Sequence, residues 1–192
     1  LGALRGALEA SRQAVERSMP DSPRLPYNLN SLGNSLRIRY EHFGKIEDLE
    51  QAIEVYRRAA QHLLVNPVDL PGYLSSLGAA LTIRYEHTGQ VEDLEQAIQL
   101  LEQAVQNGAD DAEDLSSILH NFGNSLRIHY EYSGRLEELE QAIEVMKRDV
   151  RLTSTNSPDM PGSLSNLAIG LLNLYQRTGQ LENLEQAIEA FQ

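Results

Sequence analysis

The block Leu-Glu-Gln-Ala-Ile occurs four times, at Leu49–Ile53, Leu94–Ile98, Leu139–Ile143 and Leu184–Ile188. The interval is 45 residues each time, without insertion or deletion. Other residues keep the same period. Gly44, Gly89, Gly134 and Gly179 stand just before the four blocks, and Tyr40, Tyr85, Tyr130 and Tyr175 just before the glycines. Further upstream come Leu32-Gly33, Leu77-Gly78, Phe122-Gly123 and Leu167-Ala168. At the start of the chain, Ala7-Leu8-Glu9 matches Ala52-Ile53-Glu54, so the opening residues fit the tail of an earlier copy. A strict period of this length makes each copy one supersecondary unit, and such units gain stability by stacking on their neighbours.

Each period reads as two helices. In the first, Leu74, Leu77, Leu81 and Tyr85 recur at helical spacing on one stripe, with Gly78 beside them. Pro71 suits the helix start, where its missing N–H has no intrahelical partner to lose. Gly89 suits the helix end, where a left-handed residue is easiest for glycine. In the second helix, Leu49, Ala52, Ile53, Tyr56, Ala59, Ala60 and Leu63 share one face. Acidic residues crowd its start (Glu47, Asp48 and Glu50, then Glu92, Asp93 and Glu95), where the helix dipole favours negative charge. Linkers rich in Pro, Asp and Ser separate the periods (Met19–Pro26, Asn66–Pro71, Ser157–Pro161); the third, Asn107-Gly108-Ala109-Asp110-Asp111, has no proline. An up-and-down bundle has no reason to keep so strict a period. The expected fold is therefore all-α, a solenoid of about nine helices: an orphan helix over residues 1–20 and four pairs near 21–65, 66–110, 111–155 and 156–192, forming a single domain over 1–192.

These residues resemble tetratricopeptide repeats. Leu77-Gly78 followed by Leu81 looks like the first part of that motif; Ala52, Tyr56 and Ala59, and Ala97, Leu101 and Ala104, look like the second. The period exceeds the usual 34 residues, the first helix and its turn being longer, and the motif's tryptophan is missing. The resemblance implies a TPR-like right-handed α-α superhelix that binds a protein or peptide partner as a scaffold. Longer repeats of this kind resemble those of fungal and bacterial multidomain signalling proteins with caspase-like (CHAT) or nucleotide-binding (NLR-type) modules. A larger signalling protein is thus implied as the parent, and an opening on helical sequence without Met fits a fragment.

In that family the first helices line a concave peptide groove. The positions that often contact ligand fall here on Asn34 and Arg37 in the first copy and on Asn124 and Arg127 in the third, with His120 one turn earlier and Asn166 in the next copy. Asn124 and Asn166 match the two asparagines of a terminal-carboxylate clamp, but His120 stands where its lysine would be. Arg37 and Arg127 are the expected anchors for an acidic or carboxylate peptide, because a guanidinium grips a carboxylate bidentately. Positions alike in every copy, such as Gly44, Leu49, Ala52 and Ile53, are expected to be scaffold, and the tyrosine column is expected in the core.

Chemistry other than binding finds little support. With 28 acidic against 16 basic residues and a net charge of −12, the chain suits neither nucleic acid nor an anionic membrane surface. It has no cysteine, and no apolar run long enough to span a bilayer. Of the five histidines, His42 and His87 share a register at the end of a first helix, and His129 aligns with Arg39 and Arg84, as in a surface column. No His-x3-His pair, phosphate loop or nucleophile elbow occurs. The expectation is no enzyme, no metal and no cofactor, in a cytoplasmic setting. Ile38, Ile83 and Ile128 form a second apolar column, expected to pack on a neighbouring repeat. In the fourth copy, Ile169, Leu172 and Leu174 replace polar or small residues of the earlier copies. A capping repeat should be polar outside, so this end is expected to be covered, and head-to-tail self-association into a filament or ring is the alternative role.

Overall fold

The structure, a computed structural model, describes residues 2–62, 66–109 and 114–191. Leu63 and the Asp110-Asp111 pair lie outside the described residues. Nine helices are described: α1 (Gly2–Glu16), α2 (Leu25–Phe43), α3 (Ile46–Ala60), α4 (Leu70–Thr88), α5 (Val91–Asn107), α6 (Leu115–Ser133), α7 (Leu136–Leu152), α8 (Met160–Thr178) and α9 (Leu181–Phe191). They fall into two compact units, Leu1–Asn107 and Gly108–Gln192. In the first unit α2 pairs with α3 and α4 with α5 as hairpins, α1 packs on α2, and α3 packs on α4. In the second, α6 pairs with α7 and α8 with α9, and α7 packs on α8.

The period acts first through the turns. Gly44, Gly89, Gly134 and Gly179 have φ of 67°, 72°, 70° and 71°, the left-handed conformation that closes a helix. Each donates its N–H to the carbonyl of the tyrosine four residues earlier, for example Gly89 to Tyr85 at 2.7 Å. The tyrosines themselves, at the last turn of each first helix, are half-buried rather than enclosed, and Tyr40 packs against the core of the first unit. Pro26, Pro71 and Pro161 start α2, α4 and α8; Ser116 takes that place in α6.

Within the first three hairpins a glycine seats the partner helix. A Cβ on Gly33 would lie 2.4 Å from the Tyr56 ring, and one on Gly78 would lie 2.7 Å from Leu101 Cγ. The helices thus approach more closely than any side chain there would allow. Leu29, Leu36, Leu49, Ile53, Tyr56 and Leu81 are all within 2% of complete burial, and full burial of such a leucine contributes roughly 1.5–3 kcal/mol. In the fourth copy Ala168 occupies the glycine seat, and Phe191, in the register of Tyr56, is 59% exposed.

Two sequence expectations are corrected by the hairpin geometry. Asp48 and Asp93 do not simply face the helix dipole. Each is buried and accepts two hydrogen bonds from an arginine on the preceding helix: Arg39 Nε to Asp48 at 2.6 Å with Nη2 alongside, and Arg84 Nε and Nη2 to Asp93 at 2.7 and 2.5 Å. His129 likewise is no surface residue. It is 8% exposed, and its Nδ1 lies 2.9 Å from Glu138, the counterpart of Asp48 and Asp93. In the fourth copy both partners change together, to Leu174 and Asn183. The isoleucine column divides: Ile128 is buried, Ile83 is half-buried against the core, and Ile38 is exposed.

Candidate functional site

The six groove positions lie on first helices of both units. In the first unit, Asn34 is exposed, and its Oδ1 accepts a hydrogen bond from the Tyr56 hydroxyl at 2.7 Å. Burial pushes the Tyr56 phenol up to about 12, against a smaller opposing pull from the Arg37 charge. Arg37 is ion-paired with Glu41 one turn along α2. In the second unit, Arg127 repeats the arrangement with Glu131 and also donates from Nη2 to Asn124 Oδ1 at 2.9 Å. The arginines expected to anchor a carboxylate therefore already hold glutamates.

His120 and Asn166 are brought together, with Nε2 of the imidazole 3.2 Å from the Asn166 amide nitrogen. The other ring nitrogen, Nδ1, lies 3.3 Å from Oδ2 of Asp149 on α7. Donation from the Asn166 amide makes Nε2 the acceptor, which leaves the proton on Nδ1, the ring nitrogen that faces Asp149. Oδ1 of Asp149 accepts from the Thr153 hydroxyl at 3.0 Å. Asn166, His120, Asp149 and Thr153 thus form a polar cluster that draws on α6, α7 and α8: two hydrogen bonds, Asn166 with His120 and Thr153 with Asp149, joined by the close approach of His120 to Asp149.

Sequence reasoning missed Asp149, although the signal was present. Asp149 stands in the register of Ala59 and Ala104, both 0% exposed, and is itself only 1% exposed. A carboxylate therefore occupies a core alanine position in this copy. Beside it opens a cavity of about 270 Å3, lined also by Ser116, Ser117, Thr153, Asp159 and Ser163. The register explains the space. Ser163 takes the place filled by Tyr73 and Ile118 in the two preceding copies, both large and buried. Ser116 takes the place of a proline, and His120 that of Asn30, Ser75 and Ser165.

At the other end of α7, burial tends to raise the Glu138 carboxyl, but hydrogen bonds from Ser133 and His129 and the charges of His129 and Arg135 outweigh it and hold the group below its ordinary value. Among the described residues, no group of three or more His, Asp or Glu side chains is placed to hold a metal ion. Ile169, Leu172 and Leu174 are half-buried on α8.

Residues 29–61, most of α2 and all of α3, match the tetratricopeptide repeat family model. Among solved structures, the chain is similar to the nearly identical TPR-like repeats of a Podosopora anserina protein assigned to the kinesin light chains (TM-score 0.64, 19% identity, 98% of this chain and 87% of that one). It is also similar to BtubC (BKLC) of P. vanneervenii (0.64, 16%, 99% and 70%) and to YrrB, described as a TPR protein with an unusual peptide-binding site (0.59, 17%, 98% and 78%). No curated protein matches the sequence. The chain is a TPR-like repeat protein with an all-α helical-repeat solenoid fold. Among the described residues, no helix is long and apolar enough to cross a membrane.

Proposed function

We propose that this chain is a non-catalytic scaffold that binds a protein or peptide partner along its first helices, within a larger signalling protein. The observation that carries the reading is the polar cluster Asn166, His120, Asp149 and Thr153, in which Asp149 stands at a position that is a buried alanine in earlier copies, and which opens on a cavity. Isolated buried polar groups destabilise a core, so a cluster of them beside an open cavity fits recognition better than it fits scaffolding. Asn124 and Arg127 extend the same helix toward its C-terminus. That YrrB is described as having a peptide-binding site adds support at the level of fold. The test is retention of the intact chain on a peptide array of varied composition, compared with the His120→Ala and Asn166→Ala variants. Retention of a defined peptide class that both variants weaken is expected; retention of no peptide contradicts the reading.

The alternative, self-assembly through the last repeat, draws on a separate observation. Ile188 is 49% exposed, whereas its counterparts Ile53 and Ile143 are 2% and 3% exposed and Ile98 is half-buried. Half-buried Ile169, Leu172 and Leu174 lie on the adjacent helix. Light scattering over a hundredfold concentration range decides it: mass that climbs with concentration and returns to about 21.5 kDa in Leu172→Glu supports assembly, and constant mass rejects it.

A further inference from the structure

We propose that the cavity between α6, α7 and the start of α8 receives the cationic side chain, lysine or arginine, of the partner. The inference rests on the scaffold reading above and names the chemistry of its central contact. Size comes first. A volume of about 270 Å3 falls just under the ~300–1,000 Å3 typical of small-molecule pockets and holds the equivalent of roughly nine waters at ~30 Å3 each. One long side chain fills such a space.

The sign of the lining comes next. Asp149 and Asp159 contribute two carboxylates, and Ser116, Ser117 and Thr153 contribute hydroxyl acceptors; neither lysine nor arginine is among the lining residues described. The contrast with the first unit is informative. Buried Asp48 and Asp93 are each met by an arginine of their own chain, whereas buried Asp149 is met by a histidine and a threonine. A buried carboxylate is costly without a counter-charge, and a cation entering beside it supplies one. His120, with its side chain 36% exposed, bridges the buried acid and the cavity mouth. The net charge of −12 favours the approach of a basic partner.

Two substitutions test this while returning residues that the repeat carries elsewhere. Asp149→Ala restores the alanine of Ala59 and Ala104. Ser163→Ile fills the cavity with the isoleucine of Ile118. The intact chain is titrated with N-acetyl-arginine methylamide, N-acetyl-lysine methylamide and, for comparison, the glutamate and norleucine equivalents, followed through the His120 ring and the Thr153 and Ser163 amide NMR signals. The array above is read with the same variants. Saturable shifts with the two cationic probes only, weakened at least tenfold in both variants, together with loss of basic peptides from the array, are expected. If neither cationic probe shifts these signals, or Asp149→Ala binds as the parent does, the inference is overturned, even where the array still retains peptides and the scaffold reading stands. If the probes bind as expected and no peptide is retained, the scaffold reading falls and the cation site stands.

Discussion

The two units handle their buried carboxylates differently. In the first, Asp48 and Asp93 recur in register, and each is clasped by an arginine of the preceding helix. In the second, the same register holds Glu138 against His129, and a further acid, Asp149, has entered an alanine position against His120. The first arrangement repeats and ties the two helices of each hairpin. The second departs from the repeat and leaves open space beside it. Within one chain, repetition marks the scaffold, and coordinated departure marks the place where the scaffold has been given something else to do.

Substitution within an arginine–aspartate pair should cost the first unit most. Arg84→Leu strands Asp93, which is 6% exposed, and should cost about 2–4 kcal/mol, because a buried charge that loses its partner is strongly destabilising. Arg84→Leu with Asp93→Asn copies the Leu174 and Asn183 of the fourth copy and should recover most of the loss. A double-mutant cycle in urea measures the coupling, and additive losses would show that the pair is no unit. Next comes the glycine seat. Gly33→Ala drives a Cβ into the Tyr56 ring and should lower stability by ~1–3 kcal/mol, despite the better helix propensity of alanine.

Smaller effects follow from titration. The Glu138 pKa is lowered in the folded state, so its contribution is present above the ordinary glutamate value and is lost as pH falls through the folded one. Unfolding followed from pH 6 to pH 3 should show a decline that Glu138→Gln reduces. Tyr56 has the opposite sign. Its folded pKa of about 12 lies above the ordinary 10.0, so that contribution is intact below 10 and fades as pH rises toward 12. Burial raises the Tyr73 phenol too, so ultraviolet titration should show more than one late-ionising tyrosine, of which the component near 12 is lost in Tyr56→Phe.

Most of the architecture was legible because four aligned copies act as their own comparison. Helix order, the glycine turns and the Leu49, Ala52 and Ile53 core follow directly from the period. What the period hid was contact between helices. Arg39 and Asp48 are nine residues apart, and only a tight glycine turn folds them onto each other. Without that geometry the acids looked like dipole partners and His129 looked like a surface residue. The tyrosines recur as faithfully as the leucines, but the helix ends beside them, so they are only half covered. Asp149 was readable from register alone, since a charge in the column of Ala59 and Ala104 is a violation. Its pairing with His120 needed α6 and α7 side by side.

Asp149 is held for recognition rather than stability, and thermal unfolding of Asp149→Ala distinguishes the two roles. Thr153 keeps a second acceptor, the Asp149 carbonyl at 3.0 Å, and His120 is partly solvated, so neither is stranded by the change. A Tm equal to or above that of the parent is predicted. A fall of more than about 4 °C, which corresponds to roughly 1–2 kcal/mol for a chain of this size, would show that Asp149 belongs to the scaffold after all.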